Sequence, residues 1–488
     1  MHTTRRSYNQ ALLTISCLFF FSNAMVTVAA DTVEQLSTLK EQKSVAVTIY
    51  NDDLALIKDL RQVALVNGDF NLAWRDVSAH MRPETALLRS ITSPGSIEVL
   101  EQNFNFDLLT PQSLLNKYIG QTVSIVKINP ATGVESKENA IVLAASNGVV
   151  LKMADRIETG MPGRIVFDNV PGNLRDRPTL VIGGNNSGKA AQDIELSYLT
   201  GGLSWKADYV AELNDKEDQL DLSSWVTLTN TSGTSYPNAR LQLVAGDINR
   251  VQREFAATRA PRAKIMADAA PAPMREEALL EYHLYSLDRL TTIAENQNKQ
   301  VALLNASGVP ASKELVLAGS DYYYAASYGD LGQKIKVDVF LQFDNKESAR
   351  LGIPLPKGIL RVYKRDKNDN AQFVGEDHID HTAKNETVRL KLGKSFDVTA
   401  DRKQVEFKQL SAGGTHSINR FESAYEITLK NAKKELITVV VQEPIPGDWK
   451  MVNESQPHSK PASNTAMWKV DVPAEGSITL KYRVQVKY

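Results

Sequence analysis

"LSWKADYVAEL", Leu203 to Leu213, decides the fold class. Leu203, Trp205, Ala207, Tyr209, Ala211 and Leu213 occupy every second position, with Ser204, Lys206, Asp208 and Glu212 between them. A repeat of two places the apolar set on one face of an extended chain; a helix would need a repeat near 3.6. The C-terminal "GSITLKYRVQVKY" repeats the pattern with Leu480, Tyr482, Val484, Val486 and Tyr488. Asn147-Gly148, between "AIVLAAS" and "VVLKMA", is a tight-hairpin signal. "SWVTLTNTSG", "VFLQFDNKES" and "YEITLKNAKK" form a weak repeat: each is a strand ending at an Asn (Asn230, Asn345, Asn431) before a polar turn. Short strands with turns about every ten residues predict a mainly β protein built of immunoglobulin-like β-sandwich domains.

Upstream, "TLVIGGNNSGKAAQDIELSYLTGG" (Thr179 to Gly202) contains Gly183-xxxx-Gly188-Lys189, close to a nucleotide-binding P-loop. Ala190 stands where a metal-binding hydroxyl is required. Ile194, Leu196 and Tyr198 then alternate as a strand, where the motif requires a helix. The expectation is a hairpin loop, with Gly201-Gly202 as a second two-residue turn, and no nucleotide site.

The remaining chain divides as follows. Arg5 and Arg6 precede an apolar run, Ala11–Ala30, which ends in Val28-Ala29-Ala30. Residues 1–30 therefore read as a signal peptide cleaved after Ala30, and the mature protein as periplasmic or secreted. Membrane contact arises only if this segment stays uncleaved as an anchor. An N-terminal β region is expected over 31–118 and a small β-barrel-like insertion over 119–172. A β meander or sandwich follows over 173–255, an Ala/Pro-rich mobile linker over 256–278 and a C-terminal sandwich region over 279–488. One of the few short helices is marked by Thr110 as cap, Pro111 at the first position and Gly120 at the end. "REEALLEYHLYSL" suits helix and strand equally.

Charge and thiols exclude several functions. The mature chain carries a net charge of −3, from 54 basic and 57 acidic residues once Arg5 and Arg6 are removed. This balance does not indicate nucleic acid as partner. Cys17, the single cysteine, lies in the signal, so neither disulfides nor thiol chemistry are available to the mature chain. No Gly-x-Ser-x-Gly elbow occurs.

Two clusters are chemically suggestive. "FVGEDHIDHT" packs Glu376, Asp377, His378, Asp380 and His381 into six residues. Asp377, His378, Asp380 and His381 are candidate ligands of a divalent metal, with His283 or Glu376 to complete the set; the alternative is a polar turn. In an extended segment His378 and Asp380 would share one face and Asp377, Ile379 and His381 the other. "DYYYAASYGD" offers Tyr322, Tyr324 and Tyr328 as flat binding faces for sugar or peptide; the alternative is two rings in the core and two at an edge. No cofactor is otherwise expected. The terminal "KYRVQVKY" also suits the last strand of an outer-membrane barrel, but 7% aromatics cannot supply the girdles.

Five ordered blocks carry a resemblance: "LSYLTGGLSWKADYVAEL", "LDLSSWVTLTNTSGTSYPNARLQLVAGDINRV", "EYHLYSL", "LGIPLPKGILRVYKRD" and "FVGEDHIDHTAKNETVRLKLGKSFDV". Together they resemble exported bacterial proteins grouped as a domain of unknown function and related to the mucoidy inhibitor A-like group. The resemblance runs from about Val45 to the C-terminus. It implies a mainly β architecture, export and a link to the cell envelope, with no established activity. The group's longer members resemble coiled-coil proteins in their N-terminal half; no sustained heptads occur here. The expected role is a non-catalytic module binding envelope polysaccharide or protein, and the alternative is a metal-assisted hydrolase of envelope material using the Glu376–His381 cluster.

Overall fold

In the computed structural model, which describes residues 33–146, 148–171, 174–249, 274–411 and 419–487, the alternation becomes burial. Leu203, Trp205, Ala207, Tyr209, Ala211 and Leu213 are all buried in the strand Leu203–Leu213. Leu480, Tyr482, Val484 and Val486 are likewise buried in Ser477–Lys487. Each large apolar side chain removed from water contributes about 1.5–3 kcal/mol, which is what holds such faces inward.

The chain is mainly β, with four-, five-, eight- and thirteen-stranded sheets in a sandwich-like layout. One large core is shared by the four-stranded sheet, the eight-stranded sheet and the first half of the thirteen-stranded sheet. A second core fills the C-terminal half. Three long strands, Gln297–Ala318, Asp330–Asp344 and Thr387–Ser411, run through both. Val301 and Val309 lie in the first core and Leu315 and Leu317 in the second, although all four belong to one strand. The two sandwich units are therefore fused through continuous backbone.

Within the meander or sandwich expected over 173–255, the first three strands resolve differently. Thr179–Asn186 pairs in the four-stranded sheet, Ala191–Thr200 in the eight-stranded sheet and Leu203–Leu213 in the thirteen-stranded sheet. Both glycine-rich connections are corners between sheets, not hairpin loops. Gly183 and Gly184 lie inside a strand at a register shift. A Cβ on Gly184 would sit 2.3 Å from the Glu98 carbonyl oxygen and 2.8 Å from the Phe70 ring, so the glycine serves close packing. The buried Asn186 carboxamide accepts the Gly188 N–H at 2.9 Å and shapes the corner.

The Asn-ended strands share a device. Asn230 and Asn431 are buried; each donates through Nδ2 to the carbonyl four residues on (Thr234, Glu435) and accepts through Oδ1 from the amide two residues on (Ser232, Lys433). Asn345 does the same over a longer loop, binding the Ile353 and Ala383 carbonyls and the Gly352 N–H. Each core also holds a buried ion pair beside an aromatic ring. Arg61 meets Asp59 at 2.7 Å over Trp74, and Arg402 meets Glu443 at 2.6 Å beside Tyr323.

Helix Pro111–Lys117 starts at Thr110 with reciprocal side-chain caps to and from Ser113. With Tyr118 it packs into the insertion, whose separate core includes Leu115, Val123, Ile125, Val142 and Leu151. The insertion's five strands form an open ladder ending at Ile157–Thr159 and Arg164–Val166; no closed barrel occurs among the described residues. The ambiguous "REEALLEYHLYSL" is a hairpin of Arg275–Leu279 and Tyr282–Ser286, turning at Leu280 with φ 55°. It takes up the end of the segment read as linker, whose residues 256–273, like residues 1–30, read above as a signal peptide, lie outside the described residues.

Candidate functional site

The Glu376–His381 cluster sits on the terminal strand of the thirteen-stranded sheet, Ala371–Ile379, and the turn after it. Extended geometry divides its side chains between two faces. His378 and Asp380 are exposed, whereas Ile379 is buried and Asp377 and His381 turn inward. Asp377 Oδ2 accepts the Lys391 N–H at 2.7 Å, and Oδ1 accepts the His378 N–H at 2.9 Å. Glu376 pairs with Arg361 at 3.1 Å. Among the described residues no three His, Cys, Asp or Glu side chains converge in a way that would hold a metal. Asp377, His378, Asp380 and His381 do not assemble as a ligand set, because alternate side chains of a strand point apart.

One member does reach a cleft. His381 lines a concavity of about 250 Å³ together with Asp247, His283, Tyr285, Pro354 and Pro356. Backbone hydrogen bonds of 2.9 Å in both directions between Leu355 and Thr382 set His381 beside the proline wall. Tyr285 and Tyr209 donate to the Pro354 and Pro356 carbonyls at 3.0 and 2.8 Å, and Asn345 ties Ile353 and Ala383 at the wall's ends. The cleft is thus held by hydrogen-bonded backbone and core aromatics.

The imidazole's tautomer follows from one contact. The Lys357 backbone N–H, which can only donate, binds His381 Nδ1 at 3.2 Å. Nδ1 is therefore the unprotonated nitrogen, and in the neutral ring Nε2 carries the proton. Burial, reinforced by the Lys357 charge, pushes the His381 pKa below its usual value and favours that neutral form. Its Nε2–H is buried and has no acceptor among the described residues. A ring held in this tautomer has no lone pair at Nε2 to offer a metal; it offers a hydrogen-bond donor. His283 Nδ1 binds Glu276 Oε1 at 2.8 Å. The Lys357 ammonium binds Asp247 at 3.1 Å and holds that carboxyl below its ordinary range. Among the described residues no hydroxyl is hydrogen-bonded to His381 or His283, and the carboxylate that His283 binds is that of Glu276.

The tyrosine cluster also divides. Tyr324 is fully buried; its hydroxyl donates to Glu443 at 3.0 Å and lies 3.0 Å from the Tyr482 hydroxyl. It is a core residue, and no ligand can touch its ring. Tyr322 and Tyr328 are exposed, 52% and 42%, and pack edge to face with centroids 5.4 Å apart.

His283 was recognisable in the sequence only as a possible completing residue. Glu276 lay in a segment of ambiguous period, and Asp247 carried no signal at all. They meet because Tyr236–Ala245, Arg275–Leu279 and Tyr282–Ser286 are neighbours in the eight-stranded sheet.

No protein of curated function matches the sequence. Residues 194–488 match the family described as "Domain of unknown function (DUF4139)", a span covering the cleft, the three long strands, the second core and all three Asn-ended strands. The chain belongs to that family.

Proposed function

We propose that this is an exported envelope protein, periplasmic or secreted after cleavage at Ala30, that acts by binding a polysaccharide or protein partner and not by catalysis. One observation carries the reading: the buried His381 Nε2–H in a concave, partly apolar cleft has no acceptor among the described residues. An orphaned buried donor costs about 1–3 kcal/mol, and a ligand carbonyl, carboxylate or hydroxyl would recover that cost on binding. The exposed Tyr322–Tyr328 pair supplies flat amphipathic faces of the kind sugars stack on. The kinship with mucoidy inhibitor A-like proteins belongs to the same proposal and directs the search toward exopolysaccharide. The metal-assisted hydrolase is not favoured, because the Lys357 N–H commits His381 to the donor role.

The test is binding of purified residues 31–488 to an array of envelope glycans and to isolated envelope proteins, beside His381→Ala. Saturable binding that His381→Ala weakens at least ten-fold supports the proposal. Binding indifferent to His381, or none across the array, removes it.

A further inference from the structure

The three long strands pass from the first core to the second at one place, and a second cleft of about 180 Å³ opens there. Register shifts beside Asp338 and Val339 bend the Asp330–Asp344 and Thr387–Ser411 pair at this crossing. The floor is apolar. Leu213 and Leu341 belong to the first core, Leu392 packs against it, Val339 packs against the second core, and exposed Val374 closes one side. The mouth is cationic. Lys313 and Lys364 both bind the single carboxylate of Glu217, the latter at 2.6 Å. Lys394, also at the mouth, is exposed and has no ion pair among the described residues. Three ammonium groups therefore face one carboxylate.

We infer that this cleft binds a short aliphatic carboxylate, with its chain on the Leu213–Leu341–Leu392 floor and its carboxylate at Lys394. An apolar floor accounts for the chain, and the uncompensated positive charge accounts for the anionic head. A cleft of this size falls below the roughly 300–1,000 Å³ of sites for drug-sized ligands, which limits the chain to a short one. The site is separate from the His381 cleft, so either proposal can fail without the other.

Titration calorimetry with octanoate, and with 1-octanol as the uncharged control, tests the inference on the purified chain. Lys394→Glu and Val374→Trp serve as variants; both side chains are exposed, so the fold is retained, and thermal melting checks this. The expected result is one-to-one octanoate binding, at least ten-fold weaker octanol binding, and at least a five-fold loss of octanoate affinity in Lys394→Glu with octanol unchanged. Val374→Trp should block both ligands. Absence of saturable octanoate binding overturns the inference. So does equal affinity for acid and alcohol with no effect of Lys394→Glu, because the charge would then play no part.

Discussion

The Asp377 carboxylate accepts the Lys391 N–H at 2.7 Å across a line where two strands approach without forming a ladder. Among the described residues the terminal strand Ala371–Ile379 pairs only with Gly358–Arg365, and its other edge faces the start of Thr387–Ser411. Gly375 lies so close that a Cβ would come within 2.5 Å of the Leu392 carbonyl oxygen. A side chain thus closes a seam that backbone pairing leaves open, and a residue that looked like a metal ligand is a structural acceptor. Asp377→Ala is expected to cost about 1 kcal/mol in urea unfolding, the net worth of one hydrogen bond, and to leave metal content unchanged. A change in bound metal with unaltered stability would count against this role.

The second core depends on a desolvated pair. Arg402 and Glu443 are 1% and 0% exposed, and Glu443 also accepts from Tyr324. Gly319 makes room for that carboxylate, since a Cβ there would lie 2.1 Å from Glu443 Oε2. Arg402→Met alone should destabilise by about 3–5 kcal/mol, because it strands a buried charge. Arg402→Met with Glu443→Leu should recover much of the loss. Chemical denaturation of the three proteins checks this, and a double variant as unstable as the single one contradicts it.

Glu217 gives stability a defined acid limit. Burial opposes its ionisation, but hydrogen bonds from Lys313 and Lys364 outweigh that and hold the carboxyl at about 2, against an ordinary 4.5. As pH falls, the unfolded chain takes up this proton before the folded one does. The stabilisation is therefore complete above about pH 4.5 and is lost progressively toward pH 2. Wild type and Glu217→Gln should converge in stability across that window, as measured by denaturant titration at fixed ionic strength. A difference that stays constant with pH would be inconsistent with the linkage.

The buried Asn230 and Asn431 carboxamides bind their turns in the same way, each satisfying an amide and a carbonyl. Replacing either by Ala strands those groups and should cost about 2 kcal/mol, within the usual range for buried unsatisfied polar atoms. Because the two sites lie in different units, the double variant should be additive to within about 0.5 kcal/mol. Denaturant unfolding of both singles and the double decides; a loss under 0.5 kcal/mol at either site would mean that water replaces the bonds.

In "GGNNSGKA" the glycines and the lysine have separate roles. Gly184→Ala should destabilise by more than about 1 kcal/mol through the clash with Glu98 and Phe70. Exposed Lys189→Ala should stay within about 0.5 kcal/mol of wild type, and neither protein should gain thermal stability from ATP. Stabilisation by ATP that Lys189→Ala abolishes would restore the nucleotide reading.

The period-two runs at Leu203–Leu213 and Ser477–Lys487, the capped helix at Pro111 and the Asn-ended strands could all be read from the sequence, because each is set by neighbours a few residues apart. So could the division of the Glu376–His381 side chains between two faces, a property of any extended segment. The path of the strands between sheets could not. A two-residue glycine turn and a corner have the same local composition, and only the burial of each strand's apolar face against a distant partner separates them. Likewise nothing near Tyr324 distinguishes it from Tyr322: one ring meets Glu443 and Tyr482 from remote strands, and the other meets solvent.

Local covalent geometry and the spacing of apolar residues determined that runs such as Leu203–Leu213 and Ser477–Lys487 form half-buried strands. Tertiary structure alone decided that Lys357 would fix the tautomer of His381, that His283 would share its cleft, and that Asp377 would close a seam. Those outcomes depend on which backbone amides and charges arrive from residues 14 to about 100 positions away, and side-chain chemistry follows the partners that burial brings within hydrogen-bond distance.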